Sequence, residues 1–204
     1  MRLSVKRLSV GVAVLTAAGA IAAAAVTLLP GGKQAAGDLL IENELCIVAP
    51  AAPYDAASGL PMLAPRPIPA DARCPVCGMY PARSPRWAAQ SIFKDGASHS
   101  FDSPIDLFFF LQRVDHYDSR YTLDDVAASF VTDFESGQWI DASSAFFVLG
   151  SSVFGPMRDA DLPAFSSREA AETFARKRGG KARTFTDITP ELIASLSRNV
   201  HNHR

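Results

Sequence analysis

Six prolines, Pro50, Pro53, Pro61, Pro65, Pro67 and Pro69, crowd one stretch of this 204-residue chain and divide it in two. Their fixed φ and missing N–H groups exclude a helix or a central strand there. Residues 31–72 therefore read as an extended, proline-rich linker. Upstream, Arg2, Lys6 and Arg7 precede an uncharged, alanine-rich run over residues 8–30. A basic start before an apolar run is the pattern of a signal or signal-anchor helix over residues 1–30. As a helix, residues 8–29 are long enough to span a bilayer and anchor the chain in an inner membrane. The basic flank stays cytoplasmic under the positive-inside rule, which sends the remainder to a periplasmic or other extracytoplasmic space. The small residues Ala17-Ala18-Gly19-Ala20 also suit a signal peptidase, so cleavage and retention both stay open.

The chain beyond residue 72 has to supply the globular part. Hydrophobic residues at 48% and charged residues at 20% exclude disorder for it. Setting aside the three basic residues of the N-terminus leaves 17 of the 20 Lys and Arg against 21 acids, a net charge of −4. That excludes a nucleic-acid partner, which needs a basic patch. No Gly-x-Ser-x-Gly elbow, His-Glu-x-x-His pair or phosphate-cradling glycine loop occurs, and the chain does not read as an enzyme.

Strand and helix signals alternate from residue 86 onward. Residues 86–93 read as a strand, Lys94-Asp95-Gly96-Ala97 as a turn, and 98–101 as the returning strand. Ser103 and Pro104 open a helix as N-cap and first helical residue, with Asp106 in its first turn. Residues 126–134 and 146–150 read as further strands, the second continuing through 151–154. After the turn at Gly155-Pro156-Met157, Ala164-Phe165 ends another strand. Ser166 and Glu169 are spaced as a capping box for a helix that Gly179-Gly180 stops. Residues 181–185 form a last strand and 190–196 a terminal helix before an exposed tail. Phe101-Asp102-Ser103 before a helix with Phe110 is echoed by Phe165-Ser166-Ser167 before a helix with Phe174. The expected class is α+β, with two similar ββαβ-type halves at about 73–120 and 140–188 behind the membrane helix and linker, and a C-terminal tail over 189–204.

The chemistry concentrates in Cys74-Pro75-Val76-Cys77-Gly78-Met79. Two of the three cysteines and one of the four methionines fall within six residues, a density that suits a soft ion such as Cu(I). Thiolates supply charge; a thioether supplies softness without charge and keeps an ion exchangeable. On an extended segment the side chains of Cys77 and Met79 would share one side, with Cys74 joining if the loop curls. Three alternatives stand beside this reading. A thiol–disulfide oxidoreductase would cycle Cys74 and Cys77, although no helix starts after them to lower a thiol pKa. Structural zinc needs four ligands, but no second cysteine pair exists, His99 and His116 are far apart, and His201 and His203 fall in the tail. A strained Cys74–Cys77 disulfide is the blandest. Cys46 reads as a small buried hydrophobe and Met62 carries no signal. His99 reads as a hydrogen-bonded strand residue, and His116 is distant in sequence from it. His201 and His203 lie in the tail.

Taken in order, Cys74 to Met79, Phe101-Asp102-Ser103-Pro104, Val153-Phe154-Gly155-Pro156-Met157 and Ala164-Phe165 leading to Gly179-Gly180 resemble the NosL family. These are copper-binding accessory proteins of nitrous oxide reductase maturation. The resemblance covers about residues 73–188. It implies a fold of two ββαβ-type halves related to part of organomercurial lyase. It also implies a periplasmic Cu(I) chaperone that passes metal to a copper-accepting client enzyme through a membrane transporter complex. The family's Cys-x-Met pattern falls on Cys77 and Met79, and its late Gly-Pro-Met thioether on Met157. Two features depart from the family. No lipid-attachment cysteine stands after the apolar segment, and Ala82-Arg83-Ser84-Pro85 replaces a histidine expected after Cys-x-Met. Cys74 or His99 then remains to complete a three-coordinate site.

Overall fold

The computed structural model describes residues 49–201, and these lie in one compact unit. The expected membrane helix, Cys46, and the first part of the linker fall outside the described residues. Among the described residues no helix is long and apolar enough to cross a membrane.

Strand β1 (Ala89–Phe93) turns into β2 (Ser98–Phe101), and α1 (Pro104–Gln112) starts after two intervening residues. The Ser103 side chain accepts from the Asp106 N–H and Pro104 takes the first position, so α1 starts where its cap and fixed φ dictate. A short α2 (Val114–Tyr117) leads to β3 (Val126–Thr132) and β4 (Trp139–Asp141). These four strands form an antiparallel sheet in the order β2-β1-β3-β4. A second antiparallel sheet joins β5 (Phe146–Leu149) to β6 (Ala164–Phe165) and β7 (Lys181–Thr184) in the order β6-β5-β7, with α3 (Arg168–Arg178) between β6 and β7. Helix α4 (Pro190–His201) ends the described chain.

The two sheets meet at Asp133, which bridges to Ala164 in parallel sense. One carboxylate oxygen of Asp133 accepts from the Ser166 N–H at 2.7 Å, the other from the Glu135 and Ser136 amides. This bond moves the helix start. With the Ser166 amide taken by Asp133, Ser167 becomes the N-cap of α3 and accepts from the Ala170 N–H, in place of the expected Ser166 box. Nor does β5 continue through 151–154: Gly150 at φ +78° turns the chain, and the Ser152 amide bonds the Arg178 carbonyl instead. The last helix runs past residue 196 to His201, over much of the expected tail.

The core gathers Phe93, Phe101, Leu107, Phe108, Phe110, Phe147, Leu162 and Ile193. Each large side chain removed from water contributes on the order of 2 kcal/mol. A second cluster, Val148, Phe165, Ala171 and Phe174, seals α3 onto the smaller sheet. The described part of the proline-rich stretch is not a free linker. Ala51 is buried, Ala52 exchanges both backbone hydrogen bonds with Ser98, and the buried Gln90 amide accepts from the Arg66 N–H at 3.0 Å. Residues 49–72 lie on β1 and β2 because β2 is an edge strand with unpaired groups to satisfy. That cover explains why every residue of β1 and β2 is buried, with no alternation to read.

Candidate metal centre

Residues 74–79 do not run extended. The Cys74 N–H donates to the Met79 carbonyl at 2.8 Å, and the Gly78 N–H donates back to the Cys74 carbonyl at 2.9 Å. Gly78 sits at φ +75°, which a β-carbon would penalise. Arg73 braces the curl by donating to the Gly78 carbonyl at 3.2 Å and to the Tyr80 hydroxyl. The extended run expected from Cys77 to Met79 is thus replaced by a curl that places Cys74 beside Cys77. Both are free thiols, and the disulfide alternative is not formed.

The curl packs against the first turn of α1. The Cys77 thiol donates to the Asp102 carboxylate at 2.9 Å, and the Cys74 thiol to Asp106 at 3.3 Å. The two sulfurs and one oxygen from each aspartate all lie within 4.8 Å of one another, close enough to surround one ion. The second oxygen of Asp102 is buried with no hydrogen-bond partner, an unmet acceptor at the site. Burial pushes the Cys74 thiol above its ordinary range. For Cys77 the adjoining Cys74 thiol pushes upward first, with burial and the nearby acids adding to it. Burial also raises Asp106, to about 6. Raised thiol pKa values are the reverse of what a disulfide-exchange nucleophile needs.

Asp102 and Asp106 are the residues that sequence reasoning misses as site members. In the sequence Asp102 reads only as part of a motif, and Asp106 only as a favourable charge at a helix start. The available signal is an acid inside an otherwise apolar helix, Pro104-Ile105-Asp106-Leu107-Phe108-Phe109-Phe110. Met79 is 41% exposed at the end of the curl. Met157 is 58% exposed on a separate hairpin, which Asp161 ties to α1 through the Ile105 N–H. His99 is engaged elsewhere. Its Nε2 lies 3.0 Å from Asp118, its ring packs edge-on against Phe93 and Phe110, and burial lowers its pKa. It does not stand in as a further ligand beside the thiols.

The sequence pattern of the NosL family matches residues 65–193, well over half of the chain. The chain belongs to the NosL family. The copper-binding lipoprotein NosL of Stutzerimonas stutzeri is 29% identical over 129 residues, 63% of this chain and 67% of that protein. The copper-binding lipoprotein NosL of Achromobacter cycloclastes is 39% identical over 57 residues, 28% of this chain and 30% of that protein. The crystal structure of the copper chaperone NosL from Shewanella denitrificans superposes with a TM-score of 0.53 at 27% identity, covering 64% of this chain and 99% of that one. The family match begins at Pro65, inside the packed proline-rich stretch, and earlier than the expected boundary at 73.

The donor set divides by softness. Two thiols suit Cu(I); two carboxylates are hard donors that a monovalent copper ion takes weakly. Two sulfurs with two carboxylate oxygens also suit four-coordinate Zn2+.

Proposed function

We propose that this chain is an extracytoplasmic Cu(I) carrier without enzymatic activity. Copper is its cargo, and Cys77, Cys74, Met79 and Met157 are the residues that hold it. The observation that carries this reading is the pair of free, adjacent thiols at a burial step, in a chain whose relatives are described as copper-binding. Each thiol already points its proton at a carboxylate. Arrival of Cu(I) breaks the S–H bonds, and Asp102 and Asp106 lie in line to take the protons. The thioethers bind without charge and sit near solvent, so a receiving protein can displace them first.

The client on this reading is a copper enzyme, nitrous oxide reductase, reached with a membrane transporter complex. The N-terminal segment around residues 8–29 holds the carrier at the membrane. The two ββαβ segments, each with its helix between the second and third strand, are similar halves that present one sulfur loop each. Titration of the oxygen-free protein against a Cu(I) chelator tests the site. The expected result is one Cu(I) per chain, with binding lost in Cys77→Ser. Unchanged affinity in that variant rejects the site, and zinc rather than copper in anaerobically purified protein favours the two-sulfur, two-oxygen set.

A further inference from the structure

Between β5 and β6 the chain makes a small hairpin. Phe154 bridges to Ala160, the Gly155 amide donates to the Asp159 carbonyl at 2.8 Å, and the Arg158 amide returns to the Gly155 carbonyl at 2.9 Å. Met157 is at its tip. Nothing in this local bonding fixes where the tip points relative to the thiols. Asp161 supplies that link. One of its oxygens accepts from the Leu162 N–H at 2.7 Å and from the Ile105 N–H at 3.3 Å, and the Ser103 hydroxyl lies near enough to favour the charged carboxylate. Ser103 and Ile105 flank Pro104 in the segment that carries Asp102 and Asp106. The carboxyl also lies flat against Gly155: a β-carbon there would meet the second Asp161 oxygen at 2.2 Å and its Cγ at 2.9 Å. One buried side chain therefore joins the base of the Met157 hairpin to the helix start that faces Cys74 and Cys77.

The placement is costly. Burial raises the Asp161 pKa to about 7, so the site disfavours the charge that a surface aspartate would keep. An apolar residue would bury more cheaply but would leave the Ile105 and Leu162 amides without an acceptor.

We infer that Asp161 is a positioning residue that sets the Met157 thioether against the thiol site, acting as a hydrogen-bond acceptor for the start of α1 while its carboxyl packs against Gly155 at the hairpin base. The inference rests on Met157 being a copper ligand. Asp161→Ala removes the acceptor, and partners of this kind typically change metal affinity about 10- to 100-fold. The test compares the parent protein with Asp161→Ala, Asp161→Asn, Met157→Leu and the Asp161→Ala/Met157→Leu double variant. It measures Cu(I) affinity, the number of sulfur neighbours by X-ray absorption, and amide hydrogen exchange over residues 154–160 without metal. Asp161→Ala is expected to lose one sulfur neighbour and up to about tenfold in affinity, no more than Met157→Leu loses, and to speed exchange in the hairpin. Asp161→Asn, which keeps an accepting oxygen, is expected to restore all three to within a few-fold. The double variant should be no weaker than Met157→Leu alone. Full additivity of the two losses, or no rescue by Asn, overturns the inference. If Met157→Leu leaves affinity and sulfur count untouched while Asp161→Ala still loosens the hairpin, the Asp161 link stands and the ligand assignment of Met157 falls.

Discussion

Cys77 and Cys74 each present a proton to a carboxylate, and that pairing sets how the site responds to pH. Both thiols titrate above their ordinary range, so neutral solution finds them protonated. Binding a metal as thiolates releases those protons, and Cu(I) affinity should therefore rise with pH between about 6 and 8. Cys77→Ser should abolish both the affinity and its pH slope in a competitive titration. Met157→Leu should weaken binding by about tenfold, or ~1.4 kcal/mol, while keeping the slope. Asp161 gives a separate pH signature in the metal-free protein. Its folded pKa is raised to about 7, above the ordinary value near 3.8. A raised acid contributes stability that is complete below its unfolded pKa and lost as pH climbs through the folded value. The thermal midpoint of Asp161→Asn should therefore gain on that of the parent as pH rises from 4 to 8. Differencing the two proteins at each pH cancels His99, whose lowered pKa has the opposite sign. A flat difference across that range would show Asp161 titrating normally.

At the level of elements, capping and turn chemistry placed most boundaries. Ser103-Pro104 opened α1 and Gly179 closed α3 as their local chemistry requires. The one-residue shift to Ser167 comes from a long-range partner, Asp133, which competes for the Ser166 amide. Local patterns cannot register such a competitor. The joint between α3 and β7 is tighter than its sequence suggests. Gly180 stands at φ +91°, and a β-carbon there would meet the Leu149 carbonyl oxygen at 2.5 Å and the Ser151 nitrogen at 2.9 Å. Both are backbone atoms of the neighbouring chain segment and cannot swing aside. Gly180→Ala should destabilise the protein by about 2 kcal/mol or more through combined strain and collision. A urea unfolding midpoint indistinguishable from the parent's would contradict this close approach.

Across the whole molecule, the sulfur curl, the α1 start and the Asp161-tethered hairpin are fixed by one core that runs from Phe93 to Ile193. A ligand that binds this folded arrangement and not the open chain stabilises it by mass action. Free Cu(I) at about 100 times the dissociation constant should add ~2.7 kcal/mol. Differential scanning under anaerobic conditions should show a raised midpoint for the parent and none for Cys77→Ser. Residues 49–72 belong to the same assembly, bound at Ser98 and Gln90. Prolines make that stretch look detached in the sequence, because they exclude regular structure without excluding contact.

The sequence by itself determined the α+β class, the main strands and helices, the family, and the crowding of Cys74 and Cys77 that marks the candidate site. These rest on periodicity, caps and the rarity of sulfur, all of which act over a few residues. Tertiary structure alone decided that Asp102 and Asp106 face the thiols, that His99 is spent on Asp118, and that Asp161 ties the Met157 hairpin to α1. Those partners lie 19 to 56 residues apart in the chain. Burial brings them together and selects which polar atoms meet, and no local spacing encodes that choice.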